Sequence, residues 1–251
     1  MCNGNVRLHR SDLNDLWNLP PVVSPKPDLS GLPGAPLRYL KHAMAPDAAP
    51  AFSVRLKMHG EIRLRGWYPF TAEQAICWDR GMVWQASIRV HGIPIRGSDS
   101  LLHDAGASRW KVFGIFPLSQ AEGPDVTRSA AGRVNLEAIW LPAALASGKV
   151  LWTSSDATHA HAGFYAHGQA AEIDYTFDSA GAMTSVNMPR WGKPGSGGFR
   201  YVNCGGFTDE ERTFQGYTIP TRIRVGWYFG TPRFEEDGEF FRAFIDDVVF
   251  K

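Results

Sequence analysis

Residues 53–65 read SVRLKMHGEIRLR, and their period decides the fold class. Val54, Leu56, Met58, Ile62 and Leu64 take one parity, while Arg55, Lys57, His59, Glu61, Arg63 and Arg65 take the other. Successive side chains of a strand point to opposite faces, so this alternation describes a ribbon with one face in a core and one in water. The pattern returns at 82–90 (MVWQASIRV), where Met82, Trp84, Ala86, Ile88 and Val90 share a face. It appears again at 171–177 (AEIDYTF) and 222–229 (RIRVGWYF). Turn-forming residues stand between the runs, at 104–107 (DAGA), 166–169 (AHGQ) and 178–181 (DSAG). Strands joined by short turns rather than by helices disfavour a parallel βαβ sheet. No stretch repeats as a motif.

One long segment breaks the period. Residues 125–145 (DVTRSAAGRVNLEAIWLPAAL) have helical composition, with Asp125 or Ser129 as candidate caps and Pro142 as the break. Val134, Leu136, Ile139 and Trp140 supply its apolar contacts. A sheet this large must curl, close or be covered. The expectation is an α+β chain, mainly antiparallel β: a large curved sheet of about ten strands covered by a central helix. Eight of the 17 prolines fall within residues 20–50. Residues 1–35 are therefore read as a proline-rich lead-in and 36–251 as a single domain. A short helix is predicted over 36–44 (PLRYLKHAM), with Pro36 at its first position and Leu37, Leu40 and Met44 at helical spacing.

The 251 residues are 44% hydrophobic and 20% charged, enough to bury a real core. A net charge of +1 argues against a nucleic-acid partner, because no basic excess exists to displace counterions. Cys2, Cys77 and Cys204 are scattered and lack CxxC spacing, so neither a disulfide framework nor a structural zinc site is expected. The opening residues hold no apolar segment of signal-peptide length, and Cys2 is not read as a lipidation site. No run approaches the ~18 apolar residues of a membrane span. The expected location is cytoplasmic, no cofactor is expected, and oligomeric state stays open.

Arg133 and Glu137 are i,i+4 neighbours on the expected helix, with Arg128 elsewhere around its axis. Two readings stand. Glu137 is a buried acid or base with Arg133 holding an anionic group, or the two form a charge pair fixing the helix to the sheet. His159, His161 and His167 share a strand face, opposite Ala160, Ala162, Phe164 and Ala166. His159 and His161 are thus further acid/base candidates. His161 to His167 spans about 20 Å at strand rise, and the spacing fits no zinc motif, so no metal site is assigned. The glycine groups at 192–198 and 204–207 match no phosphate-binding fingerprint, and read as loop or as a lid with Trp191 at its hinge. No G-x-S-x-G elbow is present. Nine Trp, seven Tyr and 15 Phe either fill a wide sheet or wall an apolar cavity. Trp84, Trp110, Trp140, Trp191 and Trp227, with Arg128, Arg133, Glu137 and Arg190, are the candidate ligand-binding residues.

The blocks LRYLKHA (37–43), GWYPFTAEQ (66–74), GPDVTRSAAGR (123–133), EAIWLP (137–142) and GGFTDEERTFQGYTIPTRIRVGWYFGT (205–231) resemble an uncharacterised bacterial family of unknown function. The likeness runs from about Leu37 to the C-terminus. More remotely, many antiparallel strands, a helix in mid-sequence and a late G-x-x-I-P at 216–220 are similar to the LolA-like and LppX-like lipoprotein carriers. That similarity implies that residues 36–251 form a half-barrel, an incomplete barrel around a hydrophobic cavity, closed by helices and holding acyl chains. The first function expected is binding of a hydrophobic or lipid-like small molecule. The alternatives are an enzyme with hydrolase-type acid/base chemistry through Glu137 with Arg133 or the histidines, and a structural or partner-binding protein.

Overall fold

The alternating run forms strand β1 (Ser53–Arg63), which pairs on one side with β2 (Trp67–Cys77) and on the other with the last strand, β13 (Glu239–Phe250). The computed structural model describes residues 10–21, 25–154 and 156–251. The expectations for Cys2 and the opening residues, and for 22–24 of the lead-in, lie outside them. From β1 the chain meanders outward through β2, β3 (Gly81–Val90), β4 (Ile93–Leu102), β5 (Ala105–Val112) and β6 (Phe116–Glu122). It then crosses as a helix to the far edge. There it re-enters as β7 (Leu151–Ser154) and returns through β8 (His159–Ala166), β9 (Gln169–Phe177), β10 (Met183–Gly192), β11 (Arg200–Phe214) and β12 (Tyr217–Trp227) to β13.

The result is one open antiparallel sheet of thirteen strands among the described residues, a half-barrel, rather than about ten. The extra strands are those whose alternation is masked. Gly97 and the polar residues of SDS interrupt β4, every residue of β6 is exposed, and β7 has only four residues. The buried parity of β1 is as expected for Val54, Leu56 and Met58. Leu64, however, lies past the strand end and is 53% exposed. Tight two-residue turns with positive φ at both positions close several hairpins, at His91–Gly92, His103–Asp104, His167–Gly168 and Gln215–Gly216. His167 therefore sits in a turn, against Trp78, and does not share the strand face of His159 and His161.

The crossing segment comprises α3 (Pro124–Leu136), a 3₁₀ turn (Glu137–Trp140) and the single turn α4 (Pro142–Leu145). Neither Asp125 nor Ser129 caps α3; its N-cap is Gly123 and Pro124 occupies the first turn. Because β6 and β7 are the two edges, a connection between them must traverse the concave face of the sheet. α3 accordingly packs on β5 at one side and on β10 and β9 at the other. Ala131, Val134, Leu136, Ile139 and Trp140 join the main core with Trp84, Ile173, Tyr175 and Ile245. Two further helices flank this body. α2 (Gly34–Ala43) buries Tyr39, Leu40 and Ala43 in the main core. α1 (Arg10–Trp17), unforeseen within the lead-in, seats Leu13 and Leu16 on Ala75, Cys77 and Val83, forming a second small core.

Candidate functional site

Between α3 with its 3₁₀ turn and the sheet lies a cavity of about 240 Å³. Its wall is mainly apolar: Leu136, Ile139 and Trp140 from above, and Trp84, Val186, Ile223, Val225, Trp227, Phe240 and Phe241 from the strands. The backbone at Gly205 and Gly206 of β11 completes one side. At Gly205 a Cβ would run into the Val186 carbonyl and the Phe229 ring, so bare backbone is required for the strands to pack there.

Four charged side chains reach this wall: Asp99, Arg133, Glu137 and Arg190. Arg133 donates from Nε to Glu137 Oε1 (2.7 Å) and from Nη1 to Asp99 Oδ2 (3.2 Å). Its guanidinium also lies over the Trp84 ring, 5.0 Å from the centroid. Gln74 Nε2 donates to the other Glu137 oxygen (2.6 Å), and Ser108 Oγ donates to Asp99 Oδ1 (2.7 Å). Trp110 Nε1 donates to Ser108 in turn (3.1 Å). A continuous polar chain thus runs from β5 through β4, α3 and the 3₁₀ turn to β2. Burial works against the Arg133 charge, but the carboxylates of Glu137 and Asp99 outweigh it, and its pKa is raised.

Arg190 plays the corresponding part on the other side. From β10 it donates through Nε and Nη2 to the Ser129 carbonyl of α3 (3.2 and 3.1 Å). Its guanidinium stacks over Trp227 at 5.2 Å, and no carboxylate pairs with it among the described residues. The helix is therefore clamped at both flanks by arginines, one carried by the helix and one by the sheet.

Of the candidates read from the sequence, Trp84, Arg133, Glu137, Trp140, Arg190 and Trp227 line the cavity. Trp110 stands one layer behind, tilted against Trp84 at 5.8 Å. Arg128 lies over Trp191 at 4.9 Å outside the cavity, and Trp191 Nε1 donates to Asp125 Oδ1 (3.0 Å). Trp191 is thus a fixed strand residue rather than a loop hinge. His159 and His161 are not in the cavity wall. His159 pairs with Asp156 (2.9 Å), and His161 donates to Asp174 (2.8 Å) and Glu172 (2.5 Å). Among the described residues no three His, Cys, Asp or Glu side chains gather to hold a metal ion. Burial pushes the Cys77 and Cys204 thiols upward in pKa, away from reactive thiolates.

Asp99, Gln74 and Ser108 were missed from the sequence, though a signal existed for two of them. Gln74 alternates with Phe70 and Ile76, and Asp99 alternates with Leu101, so each is a polar residue at a core-facing parity. A buried polar group demands a partner, and the partner here is the crossing helix.

Two solved structures are similar to this chain at 9% identity. One, from Vibrio parahaemolyticus, is described as an outer membrane lipoprotein-sorting protein domain; it has a TM-score of 0.39 and covers 79% of this chain and 85% of its own. The other is a LolA superfamily protein from Nitrosomonas europaea, with a TM-score of 0.42, covering 86% of this chain and 92% of its own. These belong to the carrier group that the sequence resembled. The cytoplasmic location expected from the opening residues finds no support in these neighbours, one of which is described as an outer membrane lipoprotein-sorting protein domain. No described helix is long and apolar enough to cross a membrane. No protein of curated function matches the chain. The family model that does match spans residues 30–250, and the chain belongs to that family of unknown function, DUF6920.

Proposed function

We propose that the half-barrel binds one small hydrophobic or lipid-like molecule between α3 and the sheet. The observation that carries this reading is the aromatic and aliphatic cavity of about 240 Å³. A dry cavity on the order of 150 Å³ accepts a benzene molecule, whereas drug-sized ligands occupy roughly 300–1,000 Å³. The space suits a single ring system or one short aliphatic chain, not a lipid with several acyl chains. Charge supports the same reading. Arg133 is already balanced by two carboxylates, so that flank needs no charge from a ligand, while Arg190 favours a neutral or anionic polar end over a cationic one.

The acid/base alternative draws on one observation, that Glu137 and Asp99 border the same cavity. Against it, both Glu137 oxygens already accept hydrogen bonds, from Arg133 and Gln74. Both oxygens are thus engaged with protein partners rather than turned to a substrate.

Calorimetric titration separates the readings of ligand chemistry. Decanoate is expected to bind the folded protein and decylamine to bind at least tenfold more weakly, by charge repulsion from Arg190. Binding of neither compound, nor of decanol, would count against a ligand cavity.

A further inference from the structure

Three hairpin tips stand side by side at one rim of the sheet: those joining β1 to β2, β3 to β4, and β5 to β6. They are tied together, since the Phe113 N–H donates to the Pro94 carbonyl (2.8 Å) and Tyr68 Oη meets His91 Nε2 (3.0 Å). Their outermost apolar side chains face water. Leu64, Ile93, Phe113, Ile115, Phe116 and Leu118 are 46–69% exposed. Single exposed apolar residues are unremarkable, but six gathered on three adjoining tips form a patch.

On the three tips themselves the charge has one sign, whereas the neighbouring β12–β13 connection, whose Glu236 carbonyl accepts from Arg63 (3.4 Å), is acidic. Residues 62–70, 87–97 and 109–119 contain no Asp or Glu at all, in a chain whose 26 basic and 25 acidic residues nearly balance. Arg65, Arg89, Arg96 and Lys111 on these tips are exposed, and among the described residues none has a carboxylate partner. Elsewhere Arg222 pairs with Glu210 and Arg233 with Asp237, while Arg200 and Arg212 of β11 also lack a carboxylate partner among the described residues.

We infer that this rim docks on an anionic lipid bilayer, with the apolar tips entering the headgroup boundary and the four cations meeting lipid phosphates. Apolar tips within a basic collar are complementary to that surface in both polarity and charge. A second copy of the chain would bring the same four cations against each other. The adjoining edge strand is also poorly suited to pairing: Pro117 of β6 offers no N–H, and the β5–β6 register shifts between Trp110 and Lys111. Ile62, next to this rim, lines the cavity, so docking would bring the cavity near the lipid. The docking itself does not depend on a ligand being bound there.

Vesicle co-sedimentation of the full chain tests it. Wild-type protein is expected to sediment with vesicles of phosphatidylcholine and phosphatidylglycerol, to be released by salt, and to stay in solution with phosphatidylcholine alone. Two variants at exposed positions, I115S/F116S and R89E/K111E, should each weaken partitioning at least tenfold while melting as wild type does. Three outcomes would overturn the inference: no sedimentation of the wild type, unchanged partitioning of both variants, or a concentration-dependent dimer that these variants abolish without any vesicle binding. None of them bears on decanoate binding in solution, so the cavity reading stands or falls separately.

Discussion

Arg133 holds more of the site together than any other single residue, because it answers two carboxylates and an indole face at once. Its side chain is 19% exposed and that of Glu137 is 14% exposed, so removing one charge strands another in a partly dry place. Arg133→Met is expected to destabilise the fold by about 2–3 kcal/mol, below the full cost of breaking a buried pair because Asp99 keeps some contact with solvent. Adding Glu137→Gln should recover part of that loss in a urea unfolding series; strictly additive losses would contradict the coupling. The histidines give a second residue-level expectation. At His161 partial burial opposes protonation, but the hydrogen bonds to Asp174 and Glu172 outweigh it and raise the pKa above 6.5. Burial lowers that of His167 below 6.5. The signs are opposite. His161 contributes stability that is complete below 6.5 and is lost as pH rises through its raised folded value. His167 favours the fold above 6.5, and that advantage is lost as pH falls through its lowered value. Ring-proton NMR titration should place the two midpoints on either side of 6.5, and coincident midpoints would refute both assignments.

At the scale of elements, the lid follows from connectivity: a chain that leaves one edge of an open sheet and re-enters at the other must cross its concave face. The crossing helix comes close to β5 at Gly106, whose N–H donates to Thr127 Oγ1 (2.9 Å). A Cβ at Gly106 would lie 2.6 Å from the Thr127 Cα. Gly106→Val should therefore lift the N-terminal turns of α3, lower stability by about 1–3 kcal/mol and weaken decanoate binding, as read by thermal unfolding and titration. Full stability with unchanged binding would mean that this contact does not set the lid. The helix, the antiparallel sheet and the buried parity of β1 were legible in the sequence because each rests on a local period, whereas the half-barrel shape was implied only by the resemblance to the carriers. The edge strands were not, since a strand exposed on both faces such as β6 carries no alternation. The partners of Arg133 were half legible: polar residues at core parity, Gln74 and Asp99, were visible, but which charge they would meet depends on contacts distant in sequence.

For the molecule as a whole, the pairing of β1 with β13 in the middle of the sheet joins the outgoing and returning meanders, so the curved wall exists only when both halves have folded. The cavity is a product of that closure, walled by seven strands and the crossing segment, with lining residues from Ile62 to Phe241. The function proposed above requires this space to hold an apolar molecule. Val225 of β12 lines it and is only partly buried, so Val225→Trp should fill the space without breaking the sheet. Organic extraction and mass spectrometry of both purified proteins, each shown folded by near-ultraviolet circular dichroism, test the claim most directly. The expected result is an apolar compound near one per chain in the wild type and at least tenfold depleted in Val225→Trp. Extracts of the two proteins that match, or a wild-type extract without any such compound, would contradict it.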